Sequence, residues 1–340
     1  MATPDIEIPV RAPADTSADD TVLPFEVGAL DLRGRVVRLG GAVDEILSGH
    51  NYPEPVAKLL GEAVVLTVML GSAIKESRLI LQTQTDGPLR MLVVDYRHPG
   101  NVRACARFDA DRVKAAIDAG KADAGALLGR GHLAMTIDHG PDRNRYQGLV
   151  AVQGGTLEDA AHEYFKSSEQ IPTRVRLVVA EEFAAGRKHR WRAGGILAQF
   201  LPKATHRAHA DLHPGDPPKG TVLAEVKEDD AWIEGRSLVD TVEDIELIDP
   251  VLSSERLLYR LFHERGVRVF RATPVAAQCS CSREGVETML RNFPQDDRDH
   301  MVENGAISVT CEFCNANYRF APQDIAPDVA SEPAESRSGS

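Results

Sequence analysis

"QCSCSR" (residues 278–283) and "TCEFCN" (residues 310–315) hold four of the chain's five cysteines, and their reading decides how the C-terminal part of the chain folds. Cys279 and Cys281 have one residue between them, Cys311 and Cys314 have two, and residues 282–310 separate the pairs. Two close thiolate pairs suit a tetrahedral Zn²⁺, since each pair supplies one edge of the tetrahedron. The segment around them offers a thin apolar set: Val286, Met289, Leu290, Phe293, Val309, Phe313 and Tyr318. A module of that size is poorly held by such a core, and a structural metal would supply the missing stability, of the order of 10 kcal/mol. Losing the metal is therefore expected to unfold the module.

Two readings of the four thiolates stand side by side. In the first they form an inert structural zinc ribbon. In the second they form a switch: a one-residue spacer closes a very small ring when oxidised, and strained disulfides tend to be labile and regulatory. Zinc-bound thiolates remain open to attack by peroxide or hypochlorous acid, and a disulfide no longer offers the ligands.

Outward from the cysteines, the chain is 340 residues long, 43% hydrophobic and 26% charged, with a formal net charge of −12. This is the composition of a soluble globular protein with room for two domains. The negative balance argues against whole-molecule attraction to nucleic acid. The longest apolar run, "AVVLTVMLGSAI" at 63–74, is too short to span a bilayer, so no membrane segment is expected. "MATPDIEIPVRAPADTSADD" lacks the pattern of a secretory signal, and a cytoplasmic location is expected. Paired cysteines in a reducing compartment serve as metal ligands or redox devices more often than as permanent disulfides.

Residues 23–222 mix strands and helices. Leu79 to Thr83 and Leu89 to Val94 read as two strands joined at Asp86, Gly87 and Pro88. "HLAMTIDHG" with "YQGLVAV", and "TRVRLVVAEEF" with "HRWRAGGILAQFL", read as two further pairs, the last turning near Gly186. A long apolar helix is predicted from Glu54 to Ile74, opened by Pro53 and Pro55, with shorter helices in "RVKAAIDAG" and "LEDAAHEYFKSSEQ". Strands clustered in pairs favour an α+β domain over a doubly wound one. Residues 223–275 read as a helical linker. Ten acids between Glu225 and Asp249 face only Lys227 and Arg236, and Leu238, Val239, Val242 and Ile245 give one thin apolar stripe over a helix at 236–247. Such a helix depends on what it packs against. "SSERLLYRLFHERG" predicts another, capped by Ser253 or Ser254, with Leu257, Leu258, Leu261 and Phe262 inward and Gly266 as its stop. A small zinc module spans 276–325. Residues 1–22 and 326–340 read as disordered tails, and 203–220 as a Pro, Gly and His-rich loop.

The C-x-C and C-x-x-C pairs, "CSREGVETML" and "CEFCNANYRF" resemble the C-terminal redox domain of the heat-shock protein 33 family of redox-regulated holdase chaperones. "GPLRMLVV", "GRGHLAMTID", "YQGLVAV", "YFKSSEQIPT", "AGGILAQFLP" and "LLYRLFHERGVRVF" are similar to family signatures in the expected order, so the resemblance covers roughly residues 23–325. It implies a cytoplasmic chaperone that works without ATP and is inactive when reduced and zinc-bound through Cys279, Cys281, Cys311 and Cys314. It further implies that oxidation joins Cys279 with Cys281 and Cys311 with Cys314, that zinc leaves, and that the redox domain and the preceding linker unfold. The active form, often a homodimer, then holds unfolding or oxidatively damaged client proteins. The position after Cys314 is often glycine in the family and is Asn315 here, a residue that also tolerates left-handed geometry.

Other features suggest other chemistry less well. Cys105 in "VRACARF" reads as a buried small hydrophobe. His300 could replace a thiolate, but four cysteines already complete a shell; His132, His206, His209 and His213 lack ligand spacing. "RKHRWR" at 187–192 has the look of a single-stranded nucleic-acid patch or of a charged hairpin turn, and the turn is the reading taken. A dithiol oxidoreductase built on Cys311 and Cys314 would want a helix start, whereas "SVTCEFCNANYRF" reads as strand, knuckle, strand. "YFKSSEQIPT" has no catalytic partner in defensible spacing, and no nucleophile elbow or phosphate-binding loop occurs. Ser168 and Glu169 are expected to cap or join elements near Pro172. An enzyme is not expected.

Overall fold

A computed structural model describes residues 19–75, 77–140, 145–183, 189–202 and 228–325. The chain divides into two units, residues 1–277 and 278–340. The loop expected at 203–220, the tail expected at 326–340 and residues 1–18 of the N-terminal tail lie outside the described residues.

The first unit opens with β1 (Thr21–Val27) and β2 (Leu32–Leu39), then α1 (Gly41–Ser48), α2 (Glu54–Gly71), β3 (Arg78–Thr85), β4 (Leu89–Arg97) and β5 (Asn101–Phe108). Two short helices, α3 (Ala110–Asp118) and α4 (Ala124–Leu128), lead to β6 (Arg130–Asp138) and β7 (Tyr146–Gln153). Then α5 (Leu157–Tyr164) leads to β8 (Thr173–Glu182) and β9 (Arg190–Phe200). Next come α6 (Asp230–Asp240), α7 (Asp244–Ile248), α8 (Ser254–Phe262) and three two-residue strands, β10 (Arg268–Val269), β11 (Thr273–Pro274) and β12 (Ala276–Ala277). The N-terminal boundary moves: Thr21 and Val22 belong to β1, because Val22 is wholly buried and pairs with Val37.

The strands form two six-stranded sheets, one ordered β10-β1-β2-β9-β8 with β11 also on β1, the other β12-β5-β4-β3-β6-β7. Every pairing is antiparallel except β12 on β5. The three expected strand pairs are β3 with β4, β6 with β7 and β8 with β9. The architecture is mixed α and β, as the clustered strands foretold.

The apolar run at 63–74 falls on α2, which packs against strands of both sheets. Val56, Leu60, Val64, Leu66 and Met69 are all wholly buried, while Glu54, Lys58 and Glu62, spaced four apart, give the first half of the helix a polar edge. Gly61 admits Val179, whose methyls would lie 2.9 Å from an added Cβ. The helix starts at Glu54 on the Pro53 cap, where proline's missing N–H costs nothing. It ends at Gly71 rather than Ile74, because the N–H groups of Ala73 and Ile74 bond three residues back and tighten the last turn. No helix among the described residues is long and apolar enough to cross a membrane.

The first sheet is covered on both faces. Along β9, Ala193 and Leu197 join the core around α2, while Ile196, Ala198 and Phe200 join a second core with α6, α7 and α8. A strand buried on both faces reads as a continuous apolar run, which "AGGILA" at 193–198 is. Residues 228–277, which include most of the expected linker, thus lie within the first unit.

The acidic stretch is two helices, not one over 236–247. Asp229 caps α6 by accepting from Ala231 N, and the chain breaks at Thr241 before Glu243 and Glu246 form a capping box for α7. The break buries Val239 and Val242 but leaves Ile245 61% exposed, so the predicted stripe is not continuous. Arginines of the sheet match the acids: Arg174 bonds Asp240 at 2.5 Å and Arg176 bonds Asp244 at 2.8 Å. The carbonyls ending α7 also find arginines. Buried Arg38 on β2 donates to Glu246 O at 2.9 Å and to Asp249 O, and Arg192 on β9 donates to Ile248 O at 2.6 Å. α8 follows the sequence reading, with Ser253 accepting from Arg256 N and Leu257, Leu258, Leu261 and Phe262 all buried. On the far edge, β8 lends outward N–H groups to α5: Leu177 N donates to Glu158 Oε1 at 2.6 Å and Val175 N to His162 Nε2 at 3.0 Å.

The second unit holds α9 (Arg283–Arg291), α10 (Gln295–His300) and the hairpin β13 (Ile307–Thr310) with β14 (Asn317–Phe320). Its buried apolar side chains are Leu290, Ile307, Phe320 and Ile325, with Val286, Val309 and Tyr318 packed against them. The expected core is corrected at three places, since Met289 is 44% and Phe293 39% exposed and Phe313, half-buried in the hairpin turn, is not part of the buried cluster. Leu290 takes the inward face of α9 as expected, and Ile307, Phe320 and Ile325 complete the core. Arg298 closes the far end by donating to Ile325 O at 2.5 Å.

Candidate metal centre

The two cysteine pairs reach one point from different local structures. Cys279 and Cys281 lie in the extended run before α9, whose start is fixed by Ser282 accepting from Gly285 N at 3.0 Å. Cys311 and Cys314 sit in the turn of the β13–β14 hairpin. There Asn315 N donates to Cys311 O at 2.8 Å and Cys311 N to Ala316 O at 2.9 Å. The turn needs a left-handed residue, and Asn315 supplies it at φ 58°. Strand, knuckle, strand is what the sequence suggested. Asn317 braces the mouth of the hairpin through Ser308 and Thr310.

All four Sγ atoms lie within 4.8 Å of one another. The Cys279 and Cys311 sulfurs are 3.7 Å apart and those of Cys281 and Cys314 3.3 Å apart, with none of the four in a disulfide. A tetrahedral ion with Zn–S bonds of about 2.3 Å has sulfur edges of about 3.8 Å. The donor set therefore fits a soft divalent cation held by four thiolates. His300 is not in the group; its Nδ1 lies 2.5 Å from Asp296 O.

The surroundings tune individual sulfurs. Burial and the neighbouring sulfurs push the Cys314 thiol up to about 12 against the pull of the Ala316 N–H. Cys281 accepts from the Tyr318 hydroxyl at 3.2 Å, which pulls its thiol down; burial and the nearby Cys279 and Cys311 outweigh that pull and leave it raised. Tyr318 is pushed up to about 12 by the same bond, so it stays a donor. The sequence placed Tyr318 in the core and gave no sign of its hydroxyl's partner, 37 residues away. Arg283 sits with its guanidinium 4.4 Å from the Phe320 ring centre and donates to Arg319 O at 3.0 Å, tying α9 to β14.

The other candidates do not assemble into sites. Cys105 is buried on β5. Within "RKHRWR", Arg187 and Lys188 lie outside the described residues. Trp191 packs on the core, Arg192 pairs with Asp19 at 2.7 Å, and His189 lies 3.2 Å from Glu181. In "YFKSSEQIPT", Glu169 accepts from the Tyr164 hydroxyl at 2.9 Å and Ser167 donates to Glu163 O at 2.7 Å. That stretch is a corner of the fold, consistent with a joining role for Glu169.

Comparison with known proteins agrees over nearly the whole chain. The model of the family described as Hsp33 protein matches residues 20–321. The 33 kDa chaperonin of Caulobacter vibrioides (strain NA1000 / CB15N) is 44% identical over 315 residues, covering 92% of this chain and 98% of that one. The 33 kDa chaperonin of Ectopseudomonas mendocina is 35% identical over 312 residues, covering 91% and 94%. Among solved structures, the 33 kDa chaperonin (heat shock protein 33 homolog) of Thermotoga maritima superposes with a TM-score of 0.71 at 19% identity, over 90% of this chain and 96% of that one. At that identity the likeness speaks for the fold.

Proposed function

Since the chain belongs to the heat-shock protein 33 family, whose members above are chaperonins by name, we propose that it is a holdase chaperone gated by oxidation of Cys279, Cys281, Cys311 and Cys314. The observation that carries this reading is the meeting of four sulfurs, none in a disulfide, within 4.8 Å in a module whose described residues bury only Leu290, Ile307, Phe320 and Ile325 as apolar core. When bound, Zn²⁺ would keep the four sulfurs as thiolates and cross-link the run before α9 to the β13–β14 hairpin.

In a reducing cytoplasm the thiolates hold the module folded and the chaperone off. Under peroxide, one thiolate attacks the O–O bond, becomes a sulfenic acid and releases hydroxide, which takes a proton to become water. The neighbouring thiolate attacks that sulfur and expels the second oxygen as water. Each disulfide, Cys279 with Cys281 and Cys311 with Cys314, thus consumes one peroxide and two protons and carries two electrons away. A disulfide sulfur is a poor donor, so each bond removes two ligands and the module loses its cross-link. The linker at 223–275 then loosens from the first sheet, and the apolar side chains it covers, Ile196 and Phe200 among them, meet unfolding clients. Burial of client surface at roughly 25 cal/mol per Å² drives the capture without ATP, with a homodimer as the active form.

Light scattering from a heat-unfolding client tests this directly. The peroxide-treated protein is expected to suppress scattering and the reduced, zinc-loaded protein to leave it unchanged. Equal behaviour of the two forms would reduce the cysteines to a structural ribbon.

A further inference from the structure

We infer that Tyr318 is a positioning residue of the thiolate centre, setting how readily Cys281 is oxidised and coupling that event to the module's core. The inference rests on the switch reading above and concerns its regulation. The Tyr318 hydroxyl donates to Cys281 Sγ at 3.2 Å. The side chain, partly buried, packs against the cluster formed by Leu290, Ile307, Phe320 and Ile325, and two-residue alternation along β14 puts Tyr318 and Phe320 on one face. One side chain therefore has its ring against the core and its polar tip on a ligand sulfur.

Two consequences follow from elementary chemistry. A donor on a metal-bound thiolate withdraws charge from the lone pair that must attack the peroxide O–O bond, so the reaction slows. Once Cys281 enters a disulfide, its sulfur is a weak acceptor, and the hydroxyl loses the partner that orients the ring. Oxidation at the surface then reaches the packing of β14 through the same residue. The position of Tyr318 is itself fixed from the other strand, where Val309 is its paired neighbour.

The test uses the full chain, as wild type, Tyr318→Phe and Val309→Ala. Phenylalanine keeps the ring and removes only the hydroxyl; Val309→Ala loosens the same part of the core without touching a sulfur. Each protein is loaded with Co²⁺ for its sulfur-to-metal charge-transfer bands and with Zn²⁺ for the rate of metal loss in peroxide. Losing the hydrogen bond is expected to move the charge-transfer band of Tyr318→Phe to lower energy and to speed metal loss about fivefold, as for one hydrogen bond. The band of Val309→Ala should stay at the wild-type position. An unshifted band in Tyr318→Phe overturns the inference, whether or not its metal loss is faster, because a faster rate alone is what loosened packing gives. Wild-type protein with no tetrahedral thiolate bands, or with zinc that survives peroxide, would instead overturn the switch reading, and the inference with it.

Discussion

The sheet bearing β9 and the module bearing the cysteines are opposite solutions to the problem of holding a fold. β9 is buried on both faces, by α2 on one side and by α6, α7 and α8 on the other. The module has Leu290, Ile307, Phe320 and Ile325 buried, and little beyond them except four sulfurs that converge. The first stands on apolar burial reinforced by arginine contacts from the sheet, whereas the second, on the reading proposed above, is conditional on the chemical state of its ligands. A stable body and a conditional one on a single chain are what a switch requires.

The largest effect that would separate the two regions is metal removal. Chelation under reducing conditions, or the Cys279→Ser, Cys281→Ser protein, is expected to take away stabilisation of the order of 10 kcal/mol from the module. Amide exchange should lose its protection across 278–325 while α2 and β9 keep theirs. Protection that persists in the module would break the comparison. The reverse experiment strikes the first unit: Phe262→Ala removes a wholly buried ring whose centre lies 5.7 Å from that of Phe25, at a cost of about 3–5 kcal/mol. Thermal unfolding of the first unit should shift down while the stoichiometry of metal binding stays the same.

Smaller changes sharpen the picture inside the first unit. Arg38→Ala leaves the carbonyls of Glu246 and Asp249 without their donor and should cost about 2–3 kcal/mol, read as faster proteolysis around 241–250. Unchanged cleavage would mean that the apolar face of α6 and α7 holds the segment unaided. The smallest effect is electrostatic. Burial, with the nearby Glu158, pushes Glu62 up from 4.5 to about 7. A group raised in the folded state contributes stability below its unfolded value and loses that contribution as pH rises through the folded one. Glu62→Gln should therefore be more stable than wild type by about 1–2 kcal/mol at pH 8, with the gap closing by pH 4. Equal denaturation midpoints at pH 8 would show that Glu62 meets water freely.

The parts legible in the sequence were those whose signal is local. Alternation with turn residues marked β3 with β4, and the spacing of Cys311 and Cys314 around a left-handed Asn315 marked the knuckle. What stayed hidden depends on distant partners. β2 is interrupted by Arg33, Arg35 and Arg38, and Arg38 is tolerated inside only because carbonyls more than 200 residues away accept from it. The spacing of Val239 and Val242 announced their burial, but not the break after them, which leaves Ile245 exposed and is held by the Glu243–Glu246 capping box and by Arg174 and Arg176 of β8. Tyr318 belongs with these: its ring was foreseeable, its hydroxyl's acceptor was not.

The contact between α5 and β8 has a consequence for the molecule in a crowded solution. An outermost strand with free N–H groups invites a second strand to add to it, which is how sheets grow into fibres. Here Glu158 and His162 occupy the N–H groups of Leu177 and Val175. A protein proposed to stand among unfolding chains, all rich in extended segments, thereby keeps that margin of its sheet closed to being templated by the chains it is meant to keep apart.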